Sequence, residues 1–408
     1  MRELSYPKNK INVLLLEKVD KIAFDLFKEE GYNVESLDGS LSEKDLIKKI
    51  KDVSILGIRS KTIISEKVIK SANKLLAIGA FCIGTNQIKF ESCNDSGIVV
   101  FNAPYSNTRS VVEIVIAQII NLMRKIVIKS NKMHSGVWRK DSLDSFEIRN
   151  KVIGIVGYGN IGSQLSVISE ALGMKVLYYD IVDKLSIGNA KKCKSLNDLL
   201  KNSDIVSLHV DGKKSNTNLI SDKEFSIMKE KSILVNYSRG NVVDIDSLIK
   251  NIKSKKLMGA ALDVFPEEPS NNKEKFKSKV KGIEEIILSP HIGGSTKEAQ
   301  KNIGSYVPDK IIDFINSGNT SSSVNFPKLS LPEQSDSHRL IHIHKNQPGV
   351  MLKINKIISE YNINIKGQYL KTNEEIGYVI TDIDSVYNKE VVKSLKNIPA
   401  TLKLRVLY

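Results

Sequence analysis

Cysteine occurs three times in 408 residues, at Cys82, Cys93 and Cys193, an odd number without metal-type spacing. Neither a disulfide framework nor a zinc site is expected, and the chain reads as one for a reducing compartment, the cytoplasm. Tryptophan occurs once, at Trp138, where it reads as a packing or interface anchor rather than a catalytic group. Long apolar runs are missing. The longest, Val111–Met123, is interrupted by Glu113, Gln118 and Asn121, and the opening MRELSYPKNK has no signal core, so no membrane partner is expected. Arginine is also scarce, nine residues against 52 lysines in a chain of net charge +15. The lysines are dispersed, which makes a solvated surface rather than a nucleic-acid patch. The few arginines beside ligand motifs, Arg59 and Arg239, mark places where a planar fork is needed that lysine cannot supply.

What is present is an ordinary globular composition, 41% hydrophobic and 26% charged, with length for two or three domains. It is organised around Lys151–Asp180, KVIGIVGYGNIGSQLSVISEALGMKVLYYD. Val152–Val156 suits a buried parallel strand, and Gly157-x-Gly159-x-x-Gly162 follows where strand must turn into helix. Gly157 allows the turn, Gly159 admits a pyrophosphate to the backbone, and Gly162 lets the helix pack closely, its N-terminus facing the anion. A second strand, Lys175–Tyr179, delivers Asp180, eighteen positions after Gly162. An acid there accepts hydrogen bonds from a ribose and repels a 2′-phosphate, which selects NAD over NADP.

Around this unit the chain alternates strands and helices. Residues 10–102 carry apolar runs at Ile11–Leu16, Val53–Ile58, Leu75–Ala80 and Ile98–Phe101, with a helix from about Lys18 to Glu30, and predict a first open α/β sheet. Arg59-Ser60 and Asn102–Asn107 end two of its strands, where ligands of such sheets gather, so Arg59 is either a surface ion-pair residue or part of an anion site. A long helix is expected from Thr108 to Lys129. After the glycine loop, strand ends carry His209, Tyr237-Ser238-Arg239-Gly240, Asp263 and Pro290-His291. The helix after Thr296 gives way to Ser317–Ser323, by composition a flexible linker. Beyond Asp336 the order strand, helix, strand, strand, helix, strand is ferredoxin-like. His342 and His344 share one face of its first strand and read as solvated or ligand-facing.

The loops hold the parts for oxidising a 2-hydroxy acid. His291 is placed as base, Glu268 as the carboxylate that raises its pKa and fixes its tautomer, and Arg239 as the fork for the substrate carboxylate. In this order and setting the pattern resembles the D-isomer-specific 2-hydroxyacid dehydrogenase family. The segments GIRSKT, AIGAFCIGTNQI, FNAPYSNTRSVVE, DVFPEEP, SPHIGGST and HIHKNQPGV to NINIKGQYL resemble, within it, the short bacterial phosphoglycerate dehydrogenases with one ACT domain.

That resemblance implies a discontinuous substrate domain (1–107 and 296–330), a Rossmann NAD domain (108–295), both doubly wound parallel sheets, and an ACT domain (337–408). It implies Arg239, Glu268 and His291 as the catalytic trio. NAD contacts are implied at Gly157, Gly159, Asn160, Ile161, Gly162, Asp180, His209, Tyr237, Ser238, Arg239, Asp263, His291, Ile292, Gly293 and Gly294. Substrate-anion contacts are implied at Arg59, Ser60, Asn107 and Lys140, the last reaching a neighbouring subunit. The reaction implied is 3-phosphoglycerate to 3-phosphohydroxypyruvate, the first step of serine synthesis, in a homo-oligomer read as a tetramer. L-serine is the implied effector, bound at a two-fold interface by His344, Asn346 and Asn364, which are expected to converge. A side reduction of 2-oxoglutarate, a hydroxypyruvate reductase and an NAD-sensing corepressor are the alternatives. Two positions depart from the family pattern. Tyr237 replaces a small residue and is expected to crowd the nicotinamide, and Ser335-Asp336-Ser337-His338 stands where a hinge glycine pair is usual.

Overall fold

The computed structural model describes residues 7–269, 273–332, 337–384 and 389–407. Two units emerge, Met1–Ser106 with Gln300–Tyr408, and Asn107–Ala299. In the first, β1 (Asn12–Leu15), β2 (Asn33–Ser36), β3 (Ile55–Ile58), β4 (Ala77–Ala80) and β5 (Val99–Asn102) form a parallel sheet in the order β2-β1-β3-β4-β5. Strands β3, β4 and β5 are buried throughout, as their unbroken apolar runs require. Edge strand β2, Asn-Val-Glu-Ser, is mostly exposed and carries no apolar pattern by which it could be foreseen. The helix expected from Lys18 starts at Lys21, because Glu17 and Lys18 turn left-handed (φ +63° and +53°) and the Asp20 carboxylate then accepts the Ile22 N–H.

The second unit is a parallel sheet of β6 (Val152–Val156), β7 (Lys175–Tyr179), β8 (Lys191–Lys192), β9 (Ile205–Leu208), β10 (Ser232–Asn236), β11 (Leu257–Leu262) and β12 (Ile286–Leu288), ordered β12-β11-β10-β9-β6-β7-β8. The order reverses between β6 and β9, so a crevice opens at their carboxyl ends. The single long helix expected from Thr108 is two, Thr108–Arg124 and Ile126–His134. Lys125 adopts φ +51° between them, and its N–H bonds the Asn121 and Leu122 carbonyls.

The C-terminal sheet comprises β13 (His338–Lys345), β14 (Ile365–Thr372), β15 (Ile376–Ile383) and β16 (Thr401–Leu407), antiparallel in the order β14-β15-β13-β16, with helices Val350–Glu360 and Lys389–Lys396. Leu340, Val379 and Leu404 pack with those helices. Ile341, Ile343, Tyr378 and Ile380 instead join Phe314 and Phe326 in the core of the first sheet. Both faces of β15 are therefore covered.

Two expectations change here. Ser317–Ser323 is no flexible tether: Asn319, Thr320 and Ser323 are buried, the Thr320 hydroxyl donates to the Pro327 carbonyl at 2.7 Å, and Ser317 Oγ donates to Asp313. Polar side chains that serve a loop in water serve equally to satisfy buried backbone. His342 and His344 are not solvated; each is 2% exposed. They occupy the strand face that meets the helices, where His342 Nε2 bonds the Thr401 hydroxyl and burial holds its pKa down at about 4. Ser335 and Asp336 of the expected hinge lie outside the described residues. Just beyond, the Arg339 guanidinium forks onto Asp382 and donates to the Ser317 and Pro332 carbonyls. No helix among the described residues is long and apolar enough to cross a membrane.

Candidate active site

The glycine turn after β6 has the geometry assigned to it. Gly157 takes φ +92°, and a side chain there would press into the His209 carbonyl. A Cβ on Gly162 would strike the Gly157 carbonyl, whereas one on Gly159 would meet nothing within 4 Å, leaving open backbone at the start of the helix Asn160–Ala171. That opening suits a pyrophosphate. Asn160 and Ile161 form the first turn of this helix. The Asp180 carboxylate accepts the Tyr158 N–H at 2.7 Å and the Val182 N–H at 2.9 Å, which aims it at the turn and still leaves lone pairs for ribose hydroxyls. His209 closes the other side, its Nε2 2.8 Å from Ser207 Oγ and its pKa pushed down to about 4 by burial, so the ring is neutral. Its Nδ1 is buried without a partner.

Three consecutive strand ends, those of β10, β11 and β12, bring the polar groups together. His291 follows β12 in a left-handed conformation, φ +54°, and its Nδ1 lies 2.7 Å from Glu268 Oε2. Glu268 Oε1 accepts the Phe265 N–H at 3.1 Å, so the carboxylate is fixed at both oxygens. The hydrogen bond that Nδ1 donates to Glu268, and also the charge of that carboxylate, raise the His291 pKa against the opposing effect of burial. Burial alone would raise Glu268, but the bond and charge of His291, with Arg239 adding, bring it below the usual range. Arg239 leaves β10 with Nη1 donating to the Ser238 carbonyl at 2.7 Å. Its turn is organised by Asn236, which sequence reasoning missed. Buried Asn236 accepts from Ser238 N and Oγ and donates to the Arg239 carbonyl.

Asp263, 1% exposed, serves as a latch for the histidine loop. It accepts the Ile292 N–H at 2.9 Å, the Gly293 N–H at 2.7 Å and the Ser289 hydroxyl at 2.6 Å. Burial nonetheless raises its pKa. The Tyr237 ring is buried in a cluster with Val111, Val115 and Tyr158, and its hydroxyl is 2.9 Å from Ser289 Oγ. Since Ser289 gives its proton to Asp263, the phenol donates to Ser289. Ser289, although it opens the SPHIGGST segment, was likewise given no role from sequence.

The anion candidates divide between the units. Arg59 and Ser60 follow β3 in the first, and no acceptor among the described residues faces the Arg59 guanidinium. Asn107 and Lys140 belong to the second. Asn107 packs against Gly294, beside the histidine loop, with its Oδ1 buried and unpartnered, which fits a donor arriving on a ligand. Lys140 lies in an exposed segment with Trp138, which is 77% exposed and so anchors nothing within its own unit.

A family model described as the D-isomer specific 2-hydroxyacid dehydrogenase NAD-binding domain matches residues 116–293, and one described as an AHAS small subunit-like ACT domain matches 340–403. The chain is 49% identical over 404 residues to D-3-phosphoglycerate dehydrogenase of Dictyostelium discoideum, covering 99% of each. The chain belongs to the D-3-phosphoglycerate dehydrogenase family. To the enzyme of that name from Haemophilus influenzae it is 47% identical, across 100% of this chain and 99% of the relative. A solved structure of D-lactate dehydrogenase with NAD+ from Lactobacillus jensenii superposes with a TM-score of 0.64 at 28% identity, over 75% of this chain and 96% of the other. Like other phosphoglycerate dehydrogenases, the protein is an NAD-dependent D-2-hydroxyacid dehydrogenase. Its nicotinamide cofactor, when bound, supplies the hydride acceptor; the side chains described above can bind a carboxylate, hold its orientation and move one proton.

The three effector candidates do not converge within one chain. His344 pairs with Gly377 on β15, while Ile365, next to Asn364, pairs with Ile383. Six strand positions separate these ends, roughly 20 Å. Asn346 donates to the Asn373 carbonyl at the first end, and Asn364 donates to Asp384 at the second. The expected convergence followed chain order, whereas the antiparallel register sets the two ends apart within a single chain.

Proposed function

We propose that this protein oxidises 3-phospho-D-glycerate to 3-phosphohydroxypyruvate with NAD, as the first step of serine synthesis in the cytoplasm. The observation that carries the proposal is the His291–Glu268 bond at 2.7 Å with Arg239 on the adjoining loop. Arg239 holds the substrate carboxylate bidentately. His291 takes the hydroxyl proton on Nε2 as hydride leaves the same carbon, and Glu268 stabilises the resulting imidazolium. Glycines 157, 159 and 162, Asn160, Ile161 and Asp180 hold the dinucleotide, with His209, Tyr237, Ser238, Asp263 and Ile292–Gly294 lining its nicotinamide end. Arg59, Ser60, Asn107 and Lys140, the last from a neighbouring subunit, take the phosphate and remaining oxygens. Reduction of 2-oxoglutarate is a slower side reaction, since its second carboxylate meets the same cations. NADH consumption by the pure protein should be far faster with phosphohydroxypyruvate than with unphosphorylated hydroxypyruvate. Equal rates would reduce the assignment to a general 2-oxo acid reductase.

Serine is proposed as a feedback inhibitor of a homotetramer. His344 and Asn346 lie at one end of the sheet and Asn364 at the other, and the proposal is that the ligand lies between two copies related by a two-fold axis, which brings unlike ends together. An ACT match over residues 340–403 supports an effector-regulated enzyme over a corepressor. Calorimetry and inhibition on the same preparation test this, with Asn346→Ala expected to lose both.

A further inference from the structure

Glu17 occupies no recognised motif, yet it is 7% exposed and adopts φ +63° directly after β1. Its own turn is held by backbone bonds from Glu17 N to the Gly39 carbonyl and from Lys18 N to the Leu37 carbonyl. The side chain reaches under the loop that follows β3. Oε2 accepts the Lys61 N–H at 3.0 Å and Oε1 accepts the Thr62 N–H at 2.7 Å. From another direction Gln87 Nε2 donates to the Arg59 carbonyl at 2.7 Å. Arg59-Ser60-Lys61-Thr62 is thus stapled at its beginning by Gln87 and at its end by Glu17.

No cation pairs with Glu17 among the described residues. Burying an ionised carboxylate is costly, and two neutral donors offset it only in part. A neutral amide would not do the same work, because only a carboxylate presents two equivalent acceptors to two successive N–H groups. Holding both amides fixes the peptide planes on either side of Lys61, and with them the direction in which Ser60 leaves the strand. Spending a buried charge and a left-handed glutamate on a loop of four residues makes sense if the loop's side chains must be aimed.

We propose that Glu17 is a positioning residue that sets the Arg59-Ser60 loop for the distal anionic group of the substrate, and so contributes to preference for phosphorylated over unphosphorylated substrates. The inference rests on the reading of Arg59 and Ser60 as anion contacts. In Glu17→Gln the shape is kept but one acceptor becomes an NH2 facing a donor, which opens the clamp. KM for phosphohydroxypyruvate should rise about tenfold, the scale of one hydrogen bond lost. The kcat, NADH affinity and KM for hydroxypyruvate should stay close to the parent, and Tm should be measured alongside.

Arg59→Ala, run in parallel, separates the two readings. Loss of discrimination in both variants supports the proposal. Loss in Arg59→Ala with unchanged KM in a folded Glu17→Gln, or with kcat and both KM values altered alike, overturns the positioning role and leaves the anion site standing. Undiminished discrimination in Arg59→Ala overturns the anion reading and the inference with it. Gln87→Met releases the same loop from the other side and serves where Glu17→Gln does not fold; unchanged discrimination there overturns the proposal.

Discussion

Nδ1 of His291 is bonded to Glu268 Oε2 at 2.7 Å, and the backbone presenting that imidazole is left-handed at φ +54°. A non-glycine residue holds such a conformation only where its surroundings over-determine it. Here Asp263 does so, by accepting the N–H groups of the next two residues. The free Nε2 is therefore placed by backbone and side chain together.

The pH dependence follows from that pair. With His291 as the proposed base, oxidation needs it neutral, so its rate should rise as pH passes the raised pKa, while reduction needs the imidazolium and should fall across the same window. Glu268→Gln removes the anion, so the pKa falls back and the oxidation limb moves to lower pH. A kcat/KM profile measured for oxidation checks this; an unmoved limb would show that Glu268 does not control the base.

Replacing the imidazole tests the proton transfer separately from binding. His291→Asn should lower turnover by about 10²- to 10⁴-fold while NADH binding, followed by fluorescence, stays nearly intact. Turnover within a few-fold of the parent would remove His291 from its role.

Besides the cofactor contact proposed for it, Asp180 holds the Tyr158 and Val182 amides of the turn. Asp180→Ala should weaken NAD overall and raise the ratio of NADP to NAD use, because repulsion of the 2′-phosphate is gone. If NAD weakens and the ratio stays fixed, Asp180 supports the turn without touching the ribose.

The Arg339–Asp382 pair anchors the C-terminal sheet, with side chains 5% and 0% exposed. Asp382→Ala leaves a buried guanidinium without its anion and should cost about 3–5 kcal/mol in chemical denaturation. The double variant Arg339→Met/Asp382→Leu should recover much of that loss. Equal destabilisation in both would mean that packing, rather than the uncompensated charge, sets the cost.

The glycine loop was legible from its residues because each glycine answers a local need, a turn, an open backbone or a close helix. The apolar runs of β3–β6 declared buried parallel strands for the same reason. Arg239, Glu268 and His291 were marked by residue type at strand ends. Tertiary structure alone decided the rest. Glu17 meets Thr62 across 45 positions, and Ser289 meets Asp263 across 26, contacts that exist only because particular strands are neighbours. The Tyr237 ring is buried in a cluster with Val111 and Val115, residues more than 120 positions earlier in the chain. The Ser317–Ser323 stretch, polar enough for a tether, was drawn into the core because its hydroxyls and amides met unpaired backbone groups. His344 and Asn364 were set at opposite ends of one sheet by the register of β15, a long-range pairing to which no short stretch of sequence responds.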